Sequence, residues 1–455
     1  MSKRFVIDTN VFLHNNSETV INGFADNTII ISGTVLEELD RHKTDGGEVG
    51  YNARHAAIEL DKLRRNGNLL KGVKTKNGGK VMVEPDGVSA KNLPLGFSLE
   101  QADNRIISTC IYLNEKDPKH KVILVTNDIL MRICATACGV NVQEYLNSIV
   151  EDSGYKGYCD LNVNDSFIDA LYEKGYSELS SDLKEGLLEN EFVTLHNGIQ
   201  SAMSVFQNGR LQLIRNGQPV YGWVKPMNVL QTYAIWALRQ PAEKIPLVIL
   251  LGPAGSAKTF LSLGVGLDET YVAQDRSECP YYKMIIARPS QNAFRNEGFL
   301  PGDLDNKLHY LYQNFYDNIE NLLIGDGKQK DSHSQIQMQM QDMIDEGAVE
   351  ISSLSFIRGR SLKNVFLITD EAQNAGKTLI RDVITRAGEN TKIVIAGDPD
   401  QIDIPTLDRH NNGLVYAAES MKGSPLCSII NFEGSENAVV RSRLARDSVM
   451  RMQMH

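Results

Sequence analysis

Residues 247–259 constrain the fold of this chain more than any other stretch. An apolar run, Leu247 to Leu251, feeds directly into Gly252-Pro253-Ala254-Gly255-Ser256-Ala257-Lys258-Thr259, and Phe260-Leu261-Ser262-Leu263 continues with helical character. Glycines let the backbone turn tightly enough for its amides to face a phosphate, and the N-terminus of the following helix adds its positive end. Strand, loop and helix in this order predict a phosphate-binding loop on a parallel sheet. Lys258 is then placed to bridge the β- and γ-phosphates, and the Thr259 hydroxyl to ligate Mg²⁺. Ala257 stands where the usual pattern has its second glycine. Alanine costs little there if the backbone is already helical, and clashes if a positive φ is required.

Three further strands are expected in this half, at Met284 to Ala287, Val365 to Thr369 and Lys392 to Ala396. The second ends in Asp370-Glu371-Ala372-Gln373. Asp370 is expected to hold the Mg²⁺ through water, and Glu371 to polarise the attacking water. The third runs into Gly397-Asp398-Pro399-Asp400-Gln401, which puts Gln401 where it can sense the γ-phosphate. Isolated acids are usually solvated loop residues, but strand ends converging on one phosphate favour catalysis.

Residues 1–145 alternate β-branched runs (Phe5-Val6-Ile7, Thr28 to Ile31, Val122 to Val125) with helix-like stretches at Ala53 to Leu63 and Asp103 to Leu113. That rhythm predicts an α/β domain with a parallel sheet. Asp8, Glu38, Asp103 and Asp128 fall where such sheets place their sites, with Glu37 a second choice beside Glu38. Four oxygen-donor acids suit one or two Mg²⁺ or Mn²⁺ ions and phosphodiester cleavage, with Asp8 and Asp128 the leading catalytic candidates. Asp103 could instead simply cap its helix. Lys62 to Lys80 is basic without an acid, which suits a phosphate backbone and equally a solvated face.

Between these halves, residues 146–225 carry a helix-like piece (Ser166 to Lys174) and three Asn-Gly pairs at 197–198, 208–209 and 216–217. Asn-Gly between apolar runs predicts hairpins, hence a small β-rich connector serving as a platform. The Gln- and Met-rich stretch from Lys328 to Asp342 reads as an amphipathic helix or an inserted loop, and no role follows from it. The expected division is 1–145, 146–225 and 226–455.

A net charge of -10 excludes binding nucleic acid by bulk basicity, and the first 150 residues are themselves charge-balanced. The six cysteines lack zinc-site spacing and fit a reducing cytoplasm, where the protein is expected to reside. No secretory signal is expected. No apolar run is long enough to cross a bilayer, so no membrane partner is expected either.

The ordered set of Gly252 to Thr259, Leu300-Pro301-Gly302-Asp303-Leu304, Ser355-Phe356-Ile357-Arg358-Gly359-Arg360, Asp370-Glu371-Ala372-Gln373-Asn374, Gly397-Asp398 with Gln401-Ile402-Asp403, and Val439-Val440-Arg441 resembles the PhoH family of ATPases, related to superfamily 1 helicases. The resemblance implies a RecA-like P-loop domain using ATP, with Asn228 and Gln231 at the adenine. It also implies a homo-oligomeric ring, a hexamer being the expected form, with Arg358, Arg360 and Arg441 as trans-acting fingers or nucleic-acid contacts. Upstream, Asp8-x-Asn10, Glu38-Leu39, Asp103 and Thr126-Asn127-Asp128 are similar in order to the PIN-domain ribonucleases. Together they imply an ATP-dependent RNA helicase or translocase joined to an endoribonuclease that cuts single-stranded RNA, with single-stranded or structured RNA as partner. The alternative is a regulatory RNA-binding ATPase whose first domain is not catalytically active.

Overall fold

The computed structural model describes residues 3–24, 27–85, 87–89, 91, 93–94, 96–145, 153–271, 278–289, 313–325, 333–404 and 407–433. Chain contacts divide it into two compact units, Met1–Ile149 and Val150–His455.

In the first unit, β1 (Arg4–Ile7), β2 (Thr28–Ser32), β3 (Val73–Lys74), β4 (Lys80–Glu84), β5 (Val122–Val125) and β6 (Asn141–Gln143) form one sheet in the order β3-β4-β2-β1-β5-β6. Every neighbouring pair is parallel except β3 with β4. The central strands are continuous apolar runs because both faces are covered, as the burial of Phe5, Val6 and Ile7 and of Val122 to Val125 records. β1 pairs with β2 on one side and β5 on the other, so a crevice opens at the carboxyl ends of β1 and β5. The helices predicted near 53–63 and 103–113 lie within Gly47–Asn66 and Ala102–Lys116.

The second unit begins with β7 (Tyr158–Asn162), β8 (Tyr176–Ser177), β9 (Phe192–His196), β10 (Ser201–Gln207) and β11 (Arg210–Leu213), in the order β7-β9-β10-β11-β8. Asn208-Gly209 joins β10 to β11 with Gln207 paired to Arg210, and both turn residues have positive φ, 53° and 75°. That is the type I′ geometry Asn-Gly favours. Asn197-Gly198 occupies the β9–β10 connection, whereas Asn216-Gly217 lies beyond β11 and joins no pair of strands. The sheet shares a core with the helix Val229–Arg239. Phe192 stacks on Tyr233 with ring centroids 4.4 Å apart, and the Thr194 and Tyr233 hydroxyls hydrogen-bond at 2.8 Å.

β12 (Leu247–Leu251), β13 (Lys283–Arg288), β14 (Val349–Ser353), β15 (Val365–Thr369), β16 (Thr391–Gly397) and β17 (Cys427–Asn431) make an all-parallel sheet in the order β14-β13-β15-β16-β12-β17. Alternate residues feed two cores: Val248, Leu250, Phe366, Ile368 and Val394 on one face, and Leu247, Ile249, Leu367, Ile393 and Ile395 on the other. The α/β fold with parallel-dominated sheets predicted from sequence is what forms. One strand, β16, separates the phosphate-loop strand β12 from the acidic strand β15, so three predicted strand ends open on one crevice. The Gln- and Met-rich stretch contains the helix His333–Asp345, which buries Ile336, Met340 and Met343 and leaves its glutamines exposed. Among the described residues no helix is long and apolar enough to cross a membrane.

Candidate functional site

The phosphate loop leaves β12 through Gly252 and Gly255, both at positive φ, and enters the helix Lys258–Asp268 through Ala257. Ala257 itself has φ 68° and ψ 16°, so the strained alternative is the one realised. A cavity of about 640 Å³ opens over the loop, lined among others by Gln231, Lys258, Thr259, Arg288, Asp370, Glu371, Asp398 and Gln401. Thus five of the predicted residues, Lys258, Thr259, Asp370, Glu371 and Gln401, meet in one space.

Several of the cavity's polar groups are engaged within the protein. Lys258 Nζ donates to the carbonyls of Gly252 and Pro253 at 2.6 and 2.9 Å and to Ser256 Oγ at 3.0 Å. Burial holds its ammonium below the usual lysine range, against the pull of Asp398, Asp370 and Glu371. The Thr259 hydroxyl donates to Asp370 Oδ1 at 2.9 Å, so two hard oxygen donors lie side by side where Mg²⁺ is expected, and by type and proximity they fit it. Burial and then the Asp370 charge raise the Glu371 carboxyl, with Gln373, Arg288 and Lys258 opposing. Glu371 also sits at φ 54° and ψ 37°, a left-handed backbone of the kind found strained at functional sites.

Two residues without a predicted role organise this site. Gln373, fully buried, donates through Nε2 to Glu371 Oε2 at 2.6 Å and to the Gln401 carbonyl at 2.9 Å, while its Oε1 accepts from the Asp398 amide at 3.1 Å. It ties Glu371 to the loop after β16. Arg288, the last residue of β13, reaches Asp370 Oδ2 at 3.1 Å and Glu371 Oε1 at 3.3 Å. The signal for Arg288 was its place at a strand end facing the same crevice; that for Gln373 was only its membership of the acidic motif.

Gln231 lines the cavity, its Oε1 accepting from the Met227 amide at 2.8 Å, while Asn228 caps the helix Val229–Arg239 by accepting from the Gln231 amide at 2.9 Å. Arg358 pairs with Asp382 at 2.6 Å, and Arg360 with Glu350. Arg441, with the motifs at 300–304 and 439–441, lies outside the described residues.

In the first unit, Asp8 follows β1, Glu38 rides on the helix Gly33–His42 after β2, Asp103 stands in the first turn of Ala102–Lys116, and Asp128 caps Ile129–Ala137 after β5. Glu38 turns inward, its side chain 15% exposed, and accepts from the Thr9 hydroxyl at 2.7 Å; Glu37 is 73% exposed and faces Arg105. Thr126 is the hub: its hydroxyl donates to Asp8 Oδ2 at 2.6 Å and accepts from Asn10 Nδ2 at 3.1 Å and the Asp128 amide at 3.0 Å. Burial pushes the Asp8 carboxyl up to about 7; Thr126 and Thr9 act against it, and the charges of Asp103 and Glu38 add to it. Burial likewise raises Asp103, helped by Asp128 and Glu38. The four acids therefore share one field, and the oxygen-only set suits a hard cation that would relieve their repulsion. By position the fit is looser. Among the described residues no three Asp, Glu, His or Cys side chains stand together as a ready metal-binding group.

A family model described as PhoH-like protein matches residues 223–453, and one described as PIN domain matches residues 5–146. The chain is 35% identical over 459 residues to Protein PhoH2 of Bacillus subtilis (strain 168), covering 98% of this chain and 100% of that one. It is 30% identical to Protein PhoH2 of Thermobispora bispora over 96% of this chain and 95% of the relative. A PhoH-like protein of Synechocystis is 29% identical over 52% of this chain. With both halves matched in order and full-length relatives spanned almost end to end, the chain belongs to the PhoH2 family, in which a PIN domain is joined to a PhoH-like P-loop ATPase.

Proposed function

We propose that the protein hydrolyses ATP to translocate along or unwind RNA and that its PIN domain cuts single-stranded RNA in a metal-dependent reaction. What supports this reading above all is that one chain carries both a phosphate cavity with an acid pair and a separate four-acid crevice at strand ends. In the ATPase, the triphosphate replaces the carbonyl partners of Lys258, and Glu371, oriented by Gln373, polarises the attacking water. Gln401 borders the same cavity and senses the γ-phosphate. Thr259 and, through water, Asp370 would hold Mg²⁺, which would supply charge neutralisation of the phosphates. In the PIN domain Asp8, Glu38, Asp103 and Asp128 would hold one or two Mg²⁺ or Mn²⁺ ions, which would supply activation of water and charge neutralisation for phosphodiester cleavage. A homo-oligomeric ring, hexameric in form, completes the reading, with Arg358, Arg360 and Arg441 as candidates for trans-acting fingers or nucleic-acid contacts.

The test incubates the full chain with labelled single- and double-stranded RNA, with and without ATP and each metal, reading cleavage and unwinding together. Lys258→Ala is expected to abolish ATP turnover and unwinding while cleavage of unstructured RNA is largely kept. Asp8→Asn and Asp128→Asn should lose cleavage and keep ATPase activity. An Asp128→Asn chain cutting RNA as fast as wild type would sink the nuclease assignment. A second reading, a regulatory RNA-binding ATPase with a silent PIN domain, is favoured by one observation: no three acids converge as a ready metal group among the described residues. RNA binding without cleavage in Mn²⁺ would select it.

A further inference from the structure

Of the cationic side chains that line the phosphate cavity, Lys258 and Arg288 are both engaged by the protein itself. Lys258 folds back on loop carbonyls, as lysines of phosphate loops can before a phosphate displaces them. Arg288 is engaged differently: its guanidinium stands against one oxygen of Asp370 and one of Glu371, 3.1 and 3.3 Å away, over the buried Phe315 ring at 4.8 Å. The other Asp370 oxygen takes the Thr259 hydroxyl. Arg288 thus neutralises the two carboxylates that the ATPase reading assigns to the divalent ion and to the water.

A guanidinium stays charged at any working pH, so it cannot give way by losing a proton. When a divalent cation arrives with the nucleotide, two positive groups compete for the buried Asp370 carboxylate. Arg288 must move. The aromatic face beneath it holds the planar cation near the cavity, and the anion introduced there is the polyphosphate, a bidentate partner that guanidinium groups fit well.

We propose that Arg288 is a nucleotide-responsive cation of the ATPase site: in the free chain it occupies Asp370 and Glu371, and on entry of ATP with its divalent ion it transfers to the triphosphate and releases Glu371 to act on water. The inference rests on the ATPase reading. The nucleotide-free site is held closed to divalent ions, and the base is engaged until the substrate is in place. A diphosphate offers less negative charge to receive the guanidinium, so ATP gains more from the exchange than ADP.

The experiment uses the full chain carrying Asp8→Asn, so that ions assigned to the PIN domain stay out of the signal, and two readouts other than turnover: Mn²⁺ binding to nucleotide-free protein by electron paramagnetic resonance, and fluorescent ATP and ADP analogue binding in Mg²⁺ and in EDTA. In Arg288→Gln, Mn²⁺ is expected to bind on the order of tenfold more tightly because its competitor is gone, while ATP affinity in Mg²⁺ falls on the order of tenfold and ADP affinity much less. Arg288→Lys, which keeps the charge without the fork, should move both quantities in the same directions by less, and serves if the glutamine variant does not fold. Unchanged Mn²⁺ affinity in a folded variant, or equal losses for ATP and ADP, overturns the proposal. A chain with Arg288 intact that binds neither nucleotide overturns the ATPase reading and this inference with it, whereas normal ATP binding with unchanged Mn²⁺ affinity overturns this inference alone.

Discussion

Ala257 holds a left-handed backbone at the entry to the phosphate-loop helix, where a Cβ costs roughly 1–2 kcal/mol relative to a relaxed conformation. Ala257→Gly removes that strain but frees the unfolded chain, so a net gain of about 0.5–1 kcal/mol is expected, read as a higher melting temperature of nucleotide-free protein with ATP binding retained. At Gly397 a close approach decides: a Cβ there would lie 2.2 Å from Gln373 Oε1 and 2.9 Å from Leu414 Cδ2. Gly397→Ala should therefore displace Gln373 and misorient Glu371. ATP turnover is expected to drop at least about tenfold while nucleotide binding falls much less, because a positioning error of this kind acts on the chemical step. An equal loss of binding and turnover would argue for collapse of the loop instead. Lys258, Thr259, Asp370, Glu371 and Gln401 could be singled out because each belongs to a local pattern that follows a strand. Gln373, Arg288 and Thr126 could not, since their importance lies in hydrogen bonds to residues such as Gln401, Asp370 and Asp8 that are distant in sequence.

Strands with continuous apolar runs, β12 and β15 above all, were legible to the residue, whereas β14 and β17 were missed. Their serines and flanking polar residues break the run, and pairing with β13 and β12 is what makes them strands. Within β16, Lys392 is fully buried and donates to the carbonyls of Ala237 and Gln240 at 2.8 and 2.7 Å, closing the end of the helix Val229–Arg239. Burial lowers its pKa from 10.5 to about 7, opposed by Glu269. Between those values the unfolded chain binds more protons than the folded one, so this group's contribution to stability rises with pH from about 7 to 10.5 and is flat below. Wild type is expected to gain on Lys392→Met by on the order of 2 kcal/mol between pH 7 and pH 9, measured as the difference in urea midpoints scaled by their slopes. A pH-independent difference would show that the amine is not titrating in that window.

Met1–Ile149 forms its own core around Phe12, Ile31, Ile106 and Leu124, and a fragment of that span is expected to fold alone and melt cooperatively. In the full chain at constant Mg²⁺, adding ATP should raise the melting temperature of the second unit and leave that of the first unchanged, since only the unit that binds the nucleotide is stabilised by mass action. A single transition that shifts as a whole would contradict two independently melting units. Sequence placed a β-rich module between the halves, but it could not show that Phe192 and Val205 enter the same core as Tyr233 and Val248, because shared burial has no local signature. The helix bearing Tyr233 begins at the nucleotide cavity, where Gln231 reaches the Ser256 carbonyl at 3.5 Å. Slack chain absorbs a displacement, whereas close-packed rings cannot slide without opening a void. A displacement of this helix would therefore have to carry Phe192 and its strand along or open a void between the two rings.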